Sequence, residues 1–153
     1  MERMKICLVD AGHGAINPYT GKYTTAPRKM FLHQKGEFHG GGWFYEGVFN
    51  RQVAAKFQRK LLDARIGFSR LYHEFLDNPL GERVRMVRGN ATCLVSFHAN
   101  ASLLHNARGT EVYTTRGNTK ADELASSYWQ YLEEASKPYG IKLRTDKSDG
   151  DPD

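Results

Sequence analysis

Two apolar runs that each end in a histidine constrain this chain more than any other feature. Residues 5–14 (KICLVDAGHG) lead to His13 between two glycines, and residues 93–100 (CLVSFHAN) lead to His98. Short runs of this kind are typical of buried strands. Because the carboxyl ends of parallel strands meet at one sheet edge, the two imidazoles are expected to lie together there. Each histidine taken singly is better explained by a backbone hydrogen bond at a strand end, but the pair, with the glycines beside His13, favours a metal site.

Length and composition set the outer limits. The chain has 153 residues, which suits one domain with a core that needs no disulfides. Cys7 and Cys93 lie inside the apolar runs without CxxC spacing, which indicates core thiols. The net charge of +5 and the pI near 9.2 predict an anionic partner such as a bacterial envelope polymer. Because the basic residues form no dense block, nucleic acid is not the expected partner.

No stretch of the sequence is apolar and long enough to suggest a signal peptide or a membrane span. We therefore expect no membrane partner, and a chain that stays in the cytoplasm until something releases it. The sequence gives no indication of the oligomeric state.

The hydrophobic pattern alternates between strand and helix. Residues 4–9 predict a first strand, and residues 46–65 predict an amphipathic helix because apolar side chains recur every four residues from Phe49 to Leu61. Residues 15–45 show no sustained period and are interpreted as either a substrate-facing wall or a surface excursion. Further strands are predicted at 68–75, before His98, at 109–115 and from 141, and further helices from Pro79 and over 120–135. This order predicts one α/β domain with a mostly parallel, twisted sheet flanked by helices.

Two histidines make an incomplete metal site, because a catalytic zinc usually has three protein ligands and one open position. Glu46 is the best third candidate, since it opens the long helix just after a glycine-rich segment. Its other interpretation is a helix-start carboxylate that the helix dipole favours. The aromatic residues 43–45 directly precede it and either stack on substrate or orient the helix start. The remaining histidines have no ligand-like context and are expected on the surface or in loops: His33, His39, His73 and His105.

Four motifs occur in a characteristic order: residues 9–14 (VDAGHG), Glu46-x-x-x-Asn50, Leu80-x-Glu82-Arg83 leading into residues 96–101 (SFHANA), and residues 108–113 (RGTEVY). In this order they resemble the zinc-dependent N-acetylmuramoyl-L-alanine amidases of the Amidase_3 type, over nearly the whole chain. The resemblance implies the fold of a zinc amidase, the cofactor Zn²⁺ and the metal ligands His13, Glu46 and His98. It also implies peptidoglycan as substrate, with hydrolysis of the amide between N-acetylmuramic acid and L-alanine.

The sequence departs from this family at the catalytic base. Related amidases supply a glutamate from a late strand, and no residue here matches that motif. We therefore expect residues 1–153 to be an amidase catalytic domain that is truncated before its last strand and helix. The sequence therefore assigns no catalytic base: Glu111 is expected to orient a histidine or a loop, and its action as the base is the alternative. Asn100 and Arg83 are candidates for substrate binding, with the alternatives that Asn100 closes a turn and that Arg83 pairs with a carboxylate or caps a loop.

The resulting hypothesis is a phage or prophage endolysin that degrades the cell wall. One alternative is a module that binds zinc and peptidoglycan without turnover, because the late glutamate is absent. Another is a metal-independent basic domain that binds nucleic acid. A steep loss of affinity with salt and indifference to chelator would favour that last alternative.

Overall fold

The computed structural model describes residues 5–35, 40–87, 91–100, 109–115, 117 and 119–139. The chain forms two units, Met1–Asn100 and Ala101–Asp153. In chain order the elements are β1 (Ile6–Ala11), β2 (Met30–His33), β3 (Gly42–Tyr45), α1 (Glu46–Asp63), β4 (Gly67–Arg70), α2 (Leu80–Met86), β5 (Cys93–Phe97) and α3 (Lys120–Ser136), with a 3-10 turn at Lys137–Tyr139.

The first unit is built on a parallel three-stranded sheet in the order β4-β1-β5. Strand β1 is central and is buried from Cys7 to Ala11, as expected of an apolar run with a neighbour on each side. It pairs with β5 in the register Leu8↔Leu94 and Ala11↔Phe97. This register brings the carboxyl ends of the two strands side by side, so the segments that carry both histidines leave the sheet at the same edge.

Helix α1 covers one face of this sheet. Cys7, Val9 and Ala11 alternate onto that face and form the buried core with two residues of α1, Ala54 and Leu61. Residues on the opposite face of β1, such as Asp10, point away from α1. The core therefore fixes α1 against β1, and the start of α1 is held next to the loop that follows the strand.

Several predicted elements are confirmed. Strand β1, helix α1 and helix α3 match their predicted ranges to within a few residues, and Pro79 is the N-cap of α2. In the second unit, Thr119 starts α3: its hydroxyl accepts from the Ala121 amide, and the Asp122 carboxylate accepts from the Thr119 amide. No helix within the described ranges has the length and hydropathy needed to cross a membrane.

Three predictions need correction. Residues 15–45 are not an unbroken loop, because β2 and β3 pair as an antiparallel ribbon; four-residue strands are too short to show a clear period in the sequence. Strand β4 ends at Arg70 rather than residue 75, and the His73 and Leu76 carbonyl groups instead accept hydrogen bonds from Arg51 of α1. Residues 109–115 have no regular secondary structure, and Gly109 has a φ of 144° that most residues avoid. The strand predicted from residue 141 lies outside the described residues.

Candidate metal centre

Three side chains from three different elements meet at the carboxyl edge of the sheet. His13 lies two residues after β1, His98 directly follows β5, and Glu46 is the first residue of α1. Their candidate ligand atoms all lie within 4.8 Å of one another. Glu46 Oε1 is 3.4 Å from His13 Nε2 and 3.3 Å from His98 Nδ1. The structure therefore brings together the three residues that the sequence suggested.

The backbone around His13 is held in an uncommon conformation. His13 has a φ of 66°, in the left-handed region that few residues other than glycine adopt. Neighbouring hydrogen bonds hold it there: the Gly12 amide donates to the Phe97 carbonyl (3.0 Å), and the Gly14 amide donates to Thr25 Oγ1 (2.8 Å). Backbone strain that is over-determined in this way is typical of functional sites.

Gly12 lets the two imidazoles approach each other. A Cβ at this position would run into the ring of His98. With glycine there, the rings of His13 and His98 lie nearly perpendicular, with centroids 5.1 Å apart. Gly12 is thus required for close approach of side chains at the site, in addition to closing the turn after β1.

Glu46 is buried, with 4% of its surface exposed, yet its surroundings favour the ionised carboxylate. Burial opposes ionisation of Glu46, but hydrogen bonds from His98 and from the Ala99 amide, at 3.1 Å, favour the carboxylate. Together with the charges of His13 and Lys29, they outweigh burial and lower the pKa of Glu46 to about 2. Lys29 contacts the other carboxylate oxygen, with its Nζ 3.5 Å from Oε2. Glu46 is therefore a carboxylate at neutral pH, with Oε1 directed at the histidines.

The chemistry of these donors fits a zinc ion. His13 Nε2 is buried and has no hydrogen-bond partner among the described residues, although it faces Glu46 Oε1. Burial lowers the pKa of His13, against the opposing charge of Glu46, and this favours the neutral imidazole that binds metals. Two imidazoles and one carboxylate would give a metal ion three protein ligands, the number that catalytic zinc sites provide.

Two residues of α1 fix the loop that carries His13. Asn50, one turn after Glu46 and fully buried, donates from Nδ2 to the Gly12 carbonyl at 3.0 Å. Arg51 Nη1 donates to the His13 carbonyl at 2.6 Å. The Glu46-x-x-x-Asn50 spacing already placed Asn50 on the same helix face as Glu46. Nothing in the sequence signalled Arg51 or Lys29, because their roles depend on where the turn after β1 and the segment before β2 lie in three dimensions.

Arg83 pairs with a buried carboxylate. Its Nη1 donates to Asp10 Oδ2 at 2.8 Å, and the Ser96 hydroxyl donates to the same oxygen at 2.7 Å. This contact confirms the interpretation that Arg83 pairs with a carboxylate. Binding of substrate by Arg83 stays a prediction.

The other predicted site residues are less closely defined. Asn100 is exposed two residues beyond His98, and its binding of substrate stays a prediction. Glu111 lies in the second unit, where the Tyr113 hydroxyl donates to its carboxylate at 2.8 Å; its role as base also stays a prediction. His73 is a loop histidine, as expected, whose Nδ1 accepts from the Phe75 and Leu76 amides. His39 and His105 lie outside the described residues.

The parallel sheet and the helix packed on it identify an α/β protein. Its two histidines and one glutamate form a candidate metal centre at the carboxyl ends of the strands. Residues 7–147 match the family model described as N-acetylmuramoyl-L-alanine amidase, Amidase_3. The match covers most of the chain, and the chain therefore belongs to this family.

One solved structure also resembles it, the catalytic domain of CwlV, an N-acetylmuramoyl-L-alanine amidase from Bacillus (Paenibacillus) polymyxa var. colistinus. The likeness has a TM-score of 0.61 at 24% identity and covers 88% of this chain but 65% of the CwlV chain. It confirms the predicted fold class, a mixed α/β domain with a parallel sheet flanked by helices. No protein with a curated description matches the sequence.

Proposed function

We propose that this chain is a zinc-dependent hydrolase that cleaves the amide between N-acetylmuramic acid and L-alanine in bacterial peptidoglycan. The observation that carries the proposal is the convergence of His13, Glu46 and His98, with ligand atoms within 4.8 Å, in a chain of the Amidase_3 family. The family match does not favour the alternative of a binding module without turnover. The endolysin role and the cytoplasmic location before release remain predictions.

The residues of the site have complementary roles in this proposal. When bound, zinc supplies a Lewis acid that activates water and polarises a carbonyl. His13 and His98 offer neutral nitrogen donors, and Glu46 offers one negative charge, so a bound dication keeps part of its positive charge. The Ala99 amide holds Glu46 Oε1 in place, and Lys29 compensates Oε2.

Hydrolysis also needs a group that takes a proton from water and passes it to the leaving nitrogen of L-alanine. Glu111 is the residue proposed for this transfer. Glu111→Gln is the variant that tests it: a normal rate in that variant assigns the proton transfer to another group. The net charge of +5 suits an anionic wall polymer as partner.

The proposal is tested by incubating the chain with purified peptidoglycan and measuring the new amino termini of L-alanine. We expect the chain to release amino termini, chelator to abolish this release and added zinc to restore it. The variants His13→Ala and His98→Ala should show no release. His33→Ala, a histidine outside the cluster, is the matched control and should retain release. Binding to the wall without new amino termini at any metal concentration would contradict hydrolysis and support the binding module instead.

A further inference from the structure

The ribbon formed by β2 and β3 has two distinct faces. Paired residues of an antiparallel ribbon share a face, and the register pairs Met30 with Tyr45 and Leu32 with Trp43. These four side chains therefore lie on one face. Phe31 and Phe44 lie on the other, where the ring of Phe44 contacts Phe49 of α1 at 5.6 Å.

On the first face, three rings in contact form a row that we term the aromatic ladder: Tyr23, Tyr45 and Trp43. The Trp43 and Tyr45 rings are nearly parallel, with an angle of 17° and centroids 6.2 Å apart. The ring centroids of Tyr45 and Tyr23 lie 4.8 Å apart. The Tyr23 hydroxyl accepts a hydrogen bond from the Gly47 amide at 3.1 Å. Because Gly47 follows Glu46, the aromatic ladder is anchored to the helix start that carries a candidate metal ligand.

The two ends of the aromatic ladder differ in exposure. Tyr23 at the inner end is 6% exposed, and its packing accounts for the orientation of the helix start. Trp43 at the outer end is 54% exposed, and its cross-strand neighbour Leu32 is 51% exposed. Because Leu32 and Trp43 are cross-strand neighbours, their exposed side chains form one contiguous apolar surface, which is where interaction sites occur, and the packing of Tyr23 and Tyr45 does not require it.

We propose that Trp43 and Leu32 form a subsite that stacks on a sugar ring of the glycan strand, next to the muramoyl amide that the metal centre would cleave. This inference rests on the proposed function for its ligand. A pyranose presents one face of C–H bonds, whose partial positive charge suits the negative face of an indole. All four side chains of this ribbon face are uncharged, so they offer no ion-pair partner for the carboxylates and amines of a stem peptide. The nearly parallel packing on Tyr45 orients the indole, and an oriented side chain loses less entropy on binding.

Intrinsic fluorescence tests the subsite directly, because the chain has two tryptophans, Trp43 and Trp129. In a Trp129→Phe variant, emission reports on Trp43 alone. The probe is the peptide-free disaccharide of N-acetylglucosamine and N-acetylmuramic acid, titrated in the presence of chelator so that no turnover is needed. We expect a saturable change in emission that Leu32→Ala weakens about five- to tenfold. Phe31→Ala, on the opposite face of the same ribbon, should bind the disaccharide as well as its parent.

Kinetics on peptidoglycan provide the second measurement. Trp43→Ala is expected to raise KM about tenfold while kcat stays within about twofold, because the stack is made equally in the ground state and the transition state. An unchanged emission signal, or equal losses in Leu32→Ala and Phe31→Ala, would overturn the subsite. So would a dimer that Trp43→Ala dissociates without any effect of sugar, since the face would then join two copies of the chain.

The two proposals fail separately. If the parent chain releases no amino termini at any zinc concentration but the disaccharide still titrates Trp43, the proposed function is wrong and the sugar subsite stands. If release is zinc-dependent but neither emission nor KM responds, the sugar subsite alone is wrong.

Discussion

Replacing Arg83 with methionine removes the ion pair that ties α2 to the sheet. Helix α2 has seven residues and none of them is buried, so few apolar contacts hold it in place. The Arg83 and Asp10 side chains are 14% and 8% exposed, and Nη1 and Oδ2 lie 2.8 Å apart. Arg83→Met leaves the Asp10 carboxylate buried with Ser96 as its remaining partner, and its Oδ1 already lacks a hydrogen bond within the described part of the chain.

The expected cost follows from that geometry. Removing one partner of a buried ion pair costs about 3–5 kcal/mol, and the Ser96 hydroxyl reduces this to about 3 kcal/mol here. For a chain of this size, that corresponds to a fall in Tm of about 6–12 °C. Thermal unfolding followed by circular dichroism measures it.

Two further variants isolate the ion pair. Arg85→Met is the matched control, because Arg85 Nε donates to the Gly81 carbonyl within α2 and its loss should leave Tm within about 1–2 °C. The double variant Asp10→Asn with Arg83→Met should recover part of the loss, since no buried charge remains unpaired. An unchanged Tm in Arg83→Met together with a raised KM on peptidoglycan would refute the reasoning and show that Arg83 faces the substrate.

Three other predictions concern the site and the core. Gly12→Ala should lower zinc affinity by more than about tenfold, because its methyl group would displace the His98 ring, whereas Gly81→Ala, whose methyl group would meet open space, should not; a competition titration measures both. Cys7 is buried, and burial helps to raise the pKa of its thiol to about 12, so thiol reagents at pH 8 should leave Cys7 unmodified until the protein unfolds; mass spectrometry of native and denatured samples checks this. The pKa of Glu46 is lowered from 4.5 to about 2, so the stability it contributes is complete above pH 4.5 and is lost as pH falls through about 2. Denaturant titrations in chelator should accordingly show that Glu46→Gln destabilises the fold at pH 7 but not near pH 2.

The sequence predicted those parts of the fold whose signals are local and strong. Strand β1 is a continuous apolar run, and α1 repeats its apolar residues with the helical period, so both appear close to their predicted bounds. The convergence of His13 and His98 followed from a rule of topology, that parallel strands end at one sheet edge. Glu46 joined them because α1 packs against β1 and starts beside the same edge.

The remaining features depend on tertiary contacts that leave no local pattern. The β2–β3 ribbon pairs four residues with four across a glycine-containing segment, and such short strands resemble a loop in the sequence. Lys29, which contacts Glu46, lies just before β2 with a backbone φ of 59°, and no motif predicts that conformation for a lysine. Arg51 supports His13 through a backbone carbonyl, and any residue type could have supplied that acceptor.

Zinc binding by the purified chain tests the central claim most directly. Metal content after dialysis, followed by a competition titration with a chromogenic chelator, gives the stoichiometry and the affinity. We expect one zinc per chain. We also expect His13→Ala, His98→Ala and Glu46→Gln each to weaken zinc binding by more than about 100-fold, which exceeds the effect of losing a residue that only orients a metal ligand. Substoichiometric zinc, or unchanged affinity in these three variants relative to His33→Ala, would contradict the assignment of the metal centre.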